Sequence, residues 1–259
     1  MKLTTITDLK IPSLQIYRHL RDNAVTKDNS FIADSPKVVT MLLDTDIEVR
    51  SILATEKFYH EYHTLIESKK IPLLYVADKN VMKDIVGHNI HHGVMMHGIR
   101  PVQTPIKEMG NHIIMLENIT KNENVGAIAR SAAALEVDSF IISQKSPHPF
   151  GRKALRVSMG YVSQLKIDTY HDIFETIEEL HTLGYKIFAA EVTSDAIPLQ
   201  EVSVPGKWVL LMGDEHAGIS EEILKVCDET IMIEMSPAVK SFNVAVASSL
   251  MMYHFKMAK

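Results

Sequence analysis

Trp208-Val209-Leu210-Leu211-Met212 runs directly into Gly213-Asp214-Glu215-His216-Ala217-Gly218, and the reading of this stretch decides the fold class. An unbroken apolar row suits a parallel strand buried on both faces, whereas a half-exposed strand would alternate. Two glycines bracketing an acid make a tight loop whose backbone can face a ligand. In open parallel sheets, ligands sit beyond the carboxyl ends of the strands, which is where this loop falls. The same residues also fit a plain turn into a helix capped by Ser220, with Glu221 and Glu222 favourable to its dipole.

Similar apolar runs flank this one: Ile113 to Leu116, Phe140 to Ile142, Ile187 to Ala190, and Ile231 to Ile233. Helical patterns lie between them at Gly126 to Leu135, Phe174 to Leu183 and Ser220 to Val226. Such alternation implies an open parallel sheet covered by helices. Val244 to Phe255 is apolar nearly all round and predicts a buried helix, inside the fold or at an interface. Two prolines in Ile99-Arg100-Pro101-Val102-Gln103-Thr104-Pro105 mark a break. Residues 1–105 then form a small α/β unit. Its expected elements are a helix over Pro36 to Leu43, a strand over Ser51 to Ala54, a helix over Phe58 to Ser68 and a strand over Leu73 to Val76. Residues 106–259 form the second domain.

Of the 259 residues, 46% are hydrophobic and 23% charged, enough to bury a sizeable core. The single cysteine, Cys227, excludes an internal disulfide. Met1 to Asp22 lacks the pattern of a secretory signal, and no stretch reaches the apolar length of a membrane span, so a cytoplasmic protein without a membrane partner is expected. The net charge of −5 argues mildly against nucleic acid. The excess is local, since residues 1–100 hold 13 Lys+Arg against 12 Asp+Glu and residues 101–259 hold 14 against 20.

No GxGxxG follows a strand and no GxxxxGK[ST] occurs, so the common dinucleotide and P-loop signals are absent. Two further polar segments stand out. In Asn122-Glu123-Asn124-Val125-Gly126-Ala127-Ile128-Ala129-Arg130, Asn124 suits an N-cap and Arg130 can clamp a phosphate or carboxylate. An ordinary capped helix with a surface arginine explains the same pattern. Ser241-Phe242-Asn243 heads the last helix, where its polar groups either cap or contact substrate. Arg152, Lys153 and Arg156 form a basic cluster that reads as solvated surface or as an RNA phosphate contact. His88, His91, His92 and His97 lack a completing Cys or acidic set, so no metal site is expected.

Taken together, the three polar segments resemble the signature motifs of the SpoU/TrmH branch of the SPOUT RNA ribose methyltransferases. Asn124, Gly126 and Arg130 match N-x-G-x-x-x-R; Gly213, Glu215 and Gly218 match G-x-E-x-x-G. Ile233, Met235, Ser241, Asn243 and Val244 match the I-x-M…S-L-N-V run. Phe242 stands in place of the usual leucine, Pro237 replaces a common glycine, and Lys121-Asn122 replaces the usual Asp-Pro.

The resemblance implies an α/β domain with a deep trefoil knot, preceded by a small ribosomal-protein-like RNA-binding domain. It implies S-adenosyl-L-methionine as cofactor, held by Gly213, Gly218, Ile233, Met235 and Phe242. Asn124, Arg130, Glu215, Ser241 and Asn243 would serve methyl transfer to a ribose 2′-hydroxyl of tRNA or rRNA, in a homodimer. The alternatives are a catalytically inactive RNA-binding protein that keeps the knotted fold, or an unrelated α/β enzyme acting on a small nucleotide.

Overall fold

The computed structural model describes residues 2–18, 28–87 and 92–258. His88 and His91 lie outside them, and the described residues contain no His/Cys/Asp/Glu group suited to a metal. The chain divides into two compact units, one of residues 1–102 with 149–163, the other of residues 103–148 with 164–259.

The first unit is built on a five-stranded mixed sheet, ordered Thr4–Thr5, Leu73–Val76, Val49–Ala54, Val94–Ile99, Ser30–Asp34. The helix Pro36–Leu43 and the strand Leu73–Val76 have the expected ends. The helix expected from Phe58 to Ser68 is two, Glu56–Glu61 and His63–Glu67, because Tyr62 leaves helical geometry at φ −112° and ψ 22°. Residues 149–163, expected in the second domain, belong to this unit. Phe150 packs on Phe31 with ring centroids 5.2 Å apart. Arg152, on the short helix Arg152–Val157, pairs with Asp34 at 3.0 Å.

The second unit carries a seven-stranded sheet in which every pair is parallel. Its order is Ile197–Pro198, Glu229–Met232, Lys186–Ala190, Trp208–Met212, His112–Leu116, Ser139–Ser143, Lys166–Tyr170. Trp208–Met212 and Ser139–Ser143 are buried at every position, as continuous apolar strands in a helix-covered sheet should be. Lys166–Tyr170 gave no apolar run because it is the edge strand and only Tyr170 is buried.

The last helix, Val244–Met257, lays Phe255 against Trp208 and Phe188, with centroids 4.9 and 5.0 Å away. Ser249 Oγ donates to Ser131 Oγ at 2.8 Å, which ties this helix to Asn122–Ala134. Its opposite side is not covered. Val246, Leu250, Tyr253 and Met257 recur at helical spacing and are 44–63% exposed. Among the described residues, no helix is long and apolar enough to cross a membrane.

Candidate active site

The strand order of the second unit reverses around His112–Leu116. The chain moves outward through Ser139–Ser143 and Lys166–Tyr170, then crosses to Lys186–Ala190. Later it inserts Trp208–Met212 into the gap between Lys186–Ala190 and His112–Leu116. Such a switch point opens a crevice at the carboxyl ends of the strands. A cavity of about 380 Å³ lies there, bordered by the ends of Lys186–Ala190, Trp208–Met212 and Glu229–Met232 and by the start of the last helix. All five residues expected at a cofactor, Gly213, Gly218, Ile233, Met235 and Phe242, line it, together with Glu215, Ser241 and Asn243.

Beside the cavity, one chain of hydrogen bonds joins the three polar segments. Glu215 Oε2 accepts from the Thr120 N–H at 3.0 Å and from Thr120 Oγ1 at 2.9 Å. Its Oε1 accepts from the Lys121 N–H at 3.3 Å and from Asn124 Nδ2 at 2.7 Å. Asn124 Oδ1 in turn accepts from Asn243 Nδ2 at 3.1 Å, and Asn243 Oδ1 accepts the Ala245 N–H at 3.0 Å. The amide orientations are fixed by this network, since each oxygen meets a donor and each nitrogen an acceptor. Asn243 therefore caps the last helix and reaches the relay through its other end.

Asn124 itself is not a cap. The helix begins at Asn122, one turn earlier than expected, and Lys121 occupies the cap position without a side-chain cap bond. Asn124 thus falls inside the first turn, buried, with its whole amide free for Glu215 and Asn243.

Burial alone would raise the Glu215 pKa. The hydrogen bonds from Thr120 and Asn124 outweigh it and hold the carboxyl below its ordinary 4.5. The fold therefore favours the ionised form, so this contribution to stability is complete above pH 4.5 and lost as pH falls through the lower folded value. In Glu215→Gln the acid limb of a Tm-against-pH curve below pH 4.5 is expected to be shallower than in the unaltered protein. Superimposable acid limbs would show that the relay stores no such linkage.

Arg130 does not line the cavity. It is exposed on the Asn122–Ala134 helix and forms no hydrogen bond or ion pair among the described residues. The basic cluster is also placed differently from a free patch. Arg152 has only 15% side-chain exposure and gives Nε and Nη2 to Asp34 Oδ2, while Arg156 approaches Asp34 Oδ1 at 3.8 Å. Arg152 is thereby committed to holding the first unit together. Lys153 lies on the same short helix. An acidic cavity residue escaped the sequence reading. Glu191 follows the strand Lys186–Ala190, and its carboxylate accepts the Ile219 N–H at 2.8 Å. No glycine stands near it, and the polar Thr193-Ser194-Asp195 that follows marks only a loop, so the strand-end position is what could have pointed to it.

Comparison with known proteins gives the chain's family and its structural neighbours. The model of the SpoU rRNA Methylase family matches residues 111–253. An uncharacterised tRNA/rRNA methyltransferase of Mycobacterium bovis is 26% identical over 96% of this chain and 90% of its own length. The tRNA (guanosine(18)-2′-O)-methyltransferase of Escherichia coli is 31% identical over 54% of this chain and 60% of its own. Among solved structures, the AdoMet-bound rRNA methyltransferase from Sinorhizobium meliloti matches with a TM-score of 0.85 at 20% identity, covering 98% of both chains. The SpoU methyltransferase AviRb from Streptomyces viridochromogenes, in complex with AdoMet, gives 0.81 at 18% identity, covering 96% of this chain and 98% of its own. At such identities the likeness is one of fold.

Proposed function

The chain belongs to the SpoU rRNA Methylase family, and from that premise we propose that it transfers a methyl group from S-adenosylmethionine to a ribose 2′-hydroxyl of a tRNA or rRNA. The observation that carries this reading is the Glu215–Asn124–Asn243 relay at the rim of a cavity beyond parallel strand ends. The 2′-O assignment draws on the Escherichia coli relative, whose name states that chemistry.

The cavity suits the cofactor by its own construction. Its volume lies in the range of small-molecule sites. Ile233, Met251 and Phe242 give it an apolar wall, and fixed carboxylates border it. At Gly213 a Cβ would stand 2.6 Å from the Gly218 carbonyl carbon, so the loop closes only around a bare backbone. S-adenosylmethionine supplies a methyl carbon on a sulfonium, an electrophile that leaves a neutral thioether behind.

The chain's own task is to align and polarise the hydroxyl. Glu215 is not a proton acceptor in this scheme, since four donors already occupy its carboxylate. It positions Asn124, and Asn124 positions Asn243. Ser241 borders the cavity beside them and offers a hydroxyl to the sugar. Arg130 clamps the RNA phosphate and disperses charge building on the 2′-oxygen. A guanidinium holds its proton too firmly to act as the base, so the 2′-hydroxyl proton passes to solvent water as the O–C bond forms and the S–C bond breaks.

Three further expectations join this reading. The chain from Trp208–Met212 through Glu229–Met232 to the helix beside Asn122–Ala134 is expected to thread a trefoil knot, a reading the strand order supports. The first unit binds structured RNA. The Val246–Leu250–Tyr253–Met257 stripe is the contact of a homodimer. Arg130 does not line its own chain's cavity, so this reading needs a second copy to bring the arginine to the reacting end. Leu250→Asp should convert a dimer to a monomer in light scattering, with helical content unchanged. A variant of the parent's mass would remove the stripe from the interface.

The reading is tested by incubating the protein with methyl-labelled cofactor and total RNA from cells lacking it, then mapping ribose methylation. Label fixed in alkali-resistant dinucleotides supports 2′-O transfer; label on a base overturns it.

A further inference from the structure

Glu191 stands in the cavity wall, yet the relay makes no use of it. Two backbone donors fix its carboxylate: Val192 N–H gives to Oε1 at 3.0 Å and Ile219 N–H to Oε2 at 2.8 Å. The chain opposite is shaped around it. Gly218 has φ +69°, and a Cβ there would lie 2.2 Å from Glu191 Oε2, so glycine alone leaves room.

The acids bordering the cavity are not equivalent. Each carboxylate oxygen can accept about two hydrogen bonds. Glu215 has two donors on each oxygen and is filled. Asp214 spends Oδ1 on the amides of His216 and Ala217, an ordinary turn within its own loop. Glu191 has one amide on each oxygen, which leaves both oxygens able to accept once more from the same ligand.

Strand order says which part of a nucleoside Glu191 meets. The strand Lys186–Ala190 lies between Glu229–Met232 and Trp208–Met212. The first neighbour continues into the apolar wall at Ile233, the second into Glu215 and the relay. A nucleoside with its base toward Ile233 and its reactive end toward the relay presents its sugar to the middle strand. A vicinal diol offers two O–H donors side by side, and a fixed carboxylate offers two matching acceptors.

We propose that Glu191 positions the cofactor by accepting hydrogen bonds from the two ribose hydroxyls of its adenosine, and so selects a ribonucleoside donor. The inference rests on S-adenosylmethionine as the cavity's occupant. Isothermal titration of S-adenosylhomocysteine and its 2′,3′-dideoxy analogue tests it without any turnover. The unaltered protein should bind the dideoxy compound roughly ten- to a hundredfold more weakly. Glu191→Gln should bind the ribonucleoside correspondingly more weakly and lose most of the discrimination. Equal affinity of the unaltered protein for both ligands overturns the inference, and because that comparison needs no variant it stands even if Glu191→Gln fails to fold. Undiminished discrimination by a folded Glu191→Gln overturns it too. Binding of neither ligand by the unaltered protein would instead reject the cofactor reading, and this inference with it.

Discussion

Arg130→Ala is expected to lower methyl transfer at least ~100-fold while leaving both the fold and cofactor affinity unchanged. The two halves of that expectation come from one fact. Arg130 is exposed, lies outside the cavity lining and makes no hydrogen bond or ion pair among the described residues. Its removal strands no buried partner, so stability should change by no more than about 0.5 kcal/mol. Its proposed role is to meet a phosphate and a developing oxyanion, both present only with RNA bound. The loss should therefore appear in single-turnover rates with saturating RNA and cofactor, not in calorimetric titration of the cofactor. Arg130→Lys should recover little, because an ammonium lacks the planar fork that grips two oxygens at once. A near-normal rate in Arg130→Ala would remove the arginine from the chemistry and leave the RNA phosphate without its proposed clamp.

The second unit was legible because its parallel strands bury both faces and so write themselves as unbroken apolar runs. Trp208–Met212 was read to the residue. Lys166–Tyr170 was not, since an edge strand with one buried residue need not be apolar. The site was legible as three segments, but its wiring was not. A side chain that pairs with Glu215 across 91 positions looks, in sequence, the same as one that caps its own helix, and Asn124 was misread in that way. Asn243 shows the converse. It caps the last helix, as one of its two readings expected, and its amide nitrogen also enters the relay. The assignment of residues 149–163 to the first unit depends on Phe31 and Asp34, more than a hundred residues upstream, and no local pattern announces such a partner.

Gly213→Ala should destabilise the protein by about 2–3 kcal/mol and abolish measurable cofactor binding, through steric overlap alone. Gly213 shows no positive φ, so alanine could adopt its backbone; what it lacks is space. The added Cβ would sit 2.6 Å from the Gly218 carbonyl carbon, 2.7 Å from its oxygen and 2.6 Å from Ile219 Cγ1. Two of those three atoms are backbone, and the loop cannot yield easily. The Gly218 N–H donates to the Asp214 carbonyl at 3.0 Å, and the Ile219 N–H is held by Glu191 at 2.8 Å. Relief requires opening the Asp214–Gly218 turn, which moves Glu215 away from Asn124 and pulls Ile219 from Glu191 together. One methyl group thus reaches both the relay and the sugar-facing carboxylate. Gly206→Ala is the control, since nothing lies within 4 Å of a Cβ there, and it should leave Tm and affinity unchanged. Thermal melts and calorimetric titration of the two variants side by side decide the matter. If Gly213→Ala melts and binds like Gly206→Ala, the loop is looser than its contacts require, and the cavity owes its shape to something other than the closed turn.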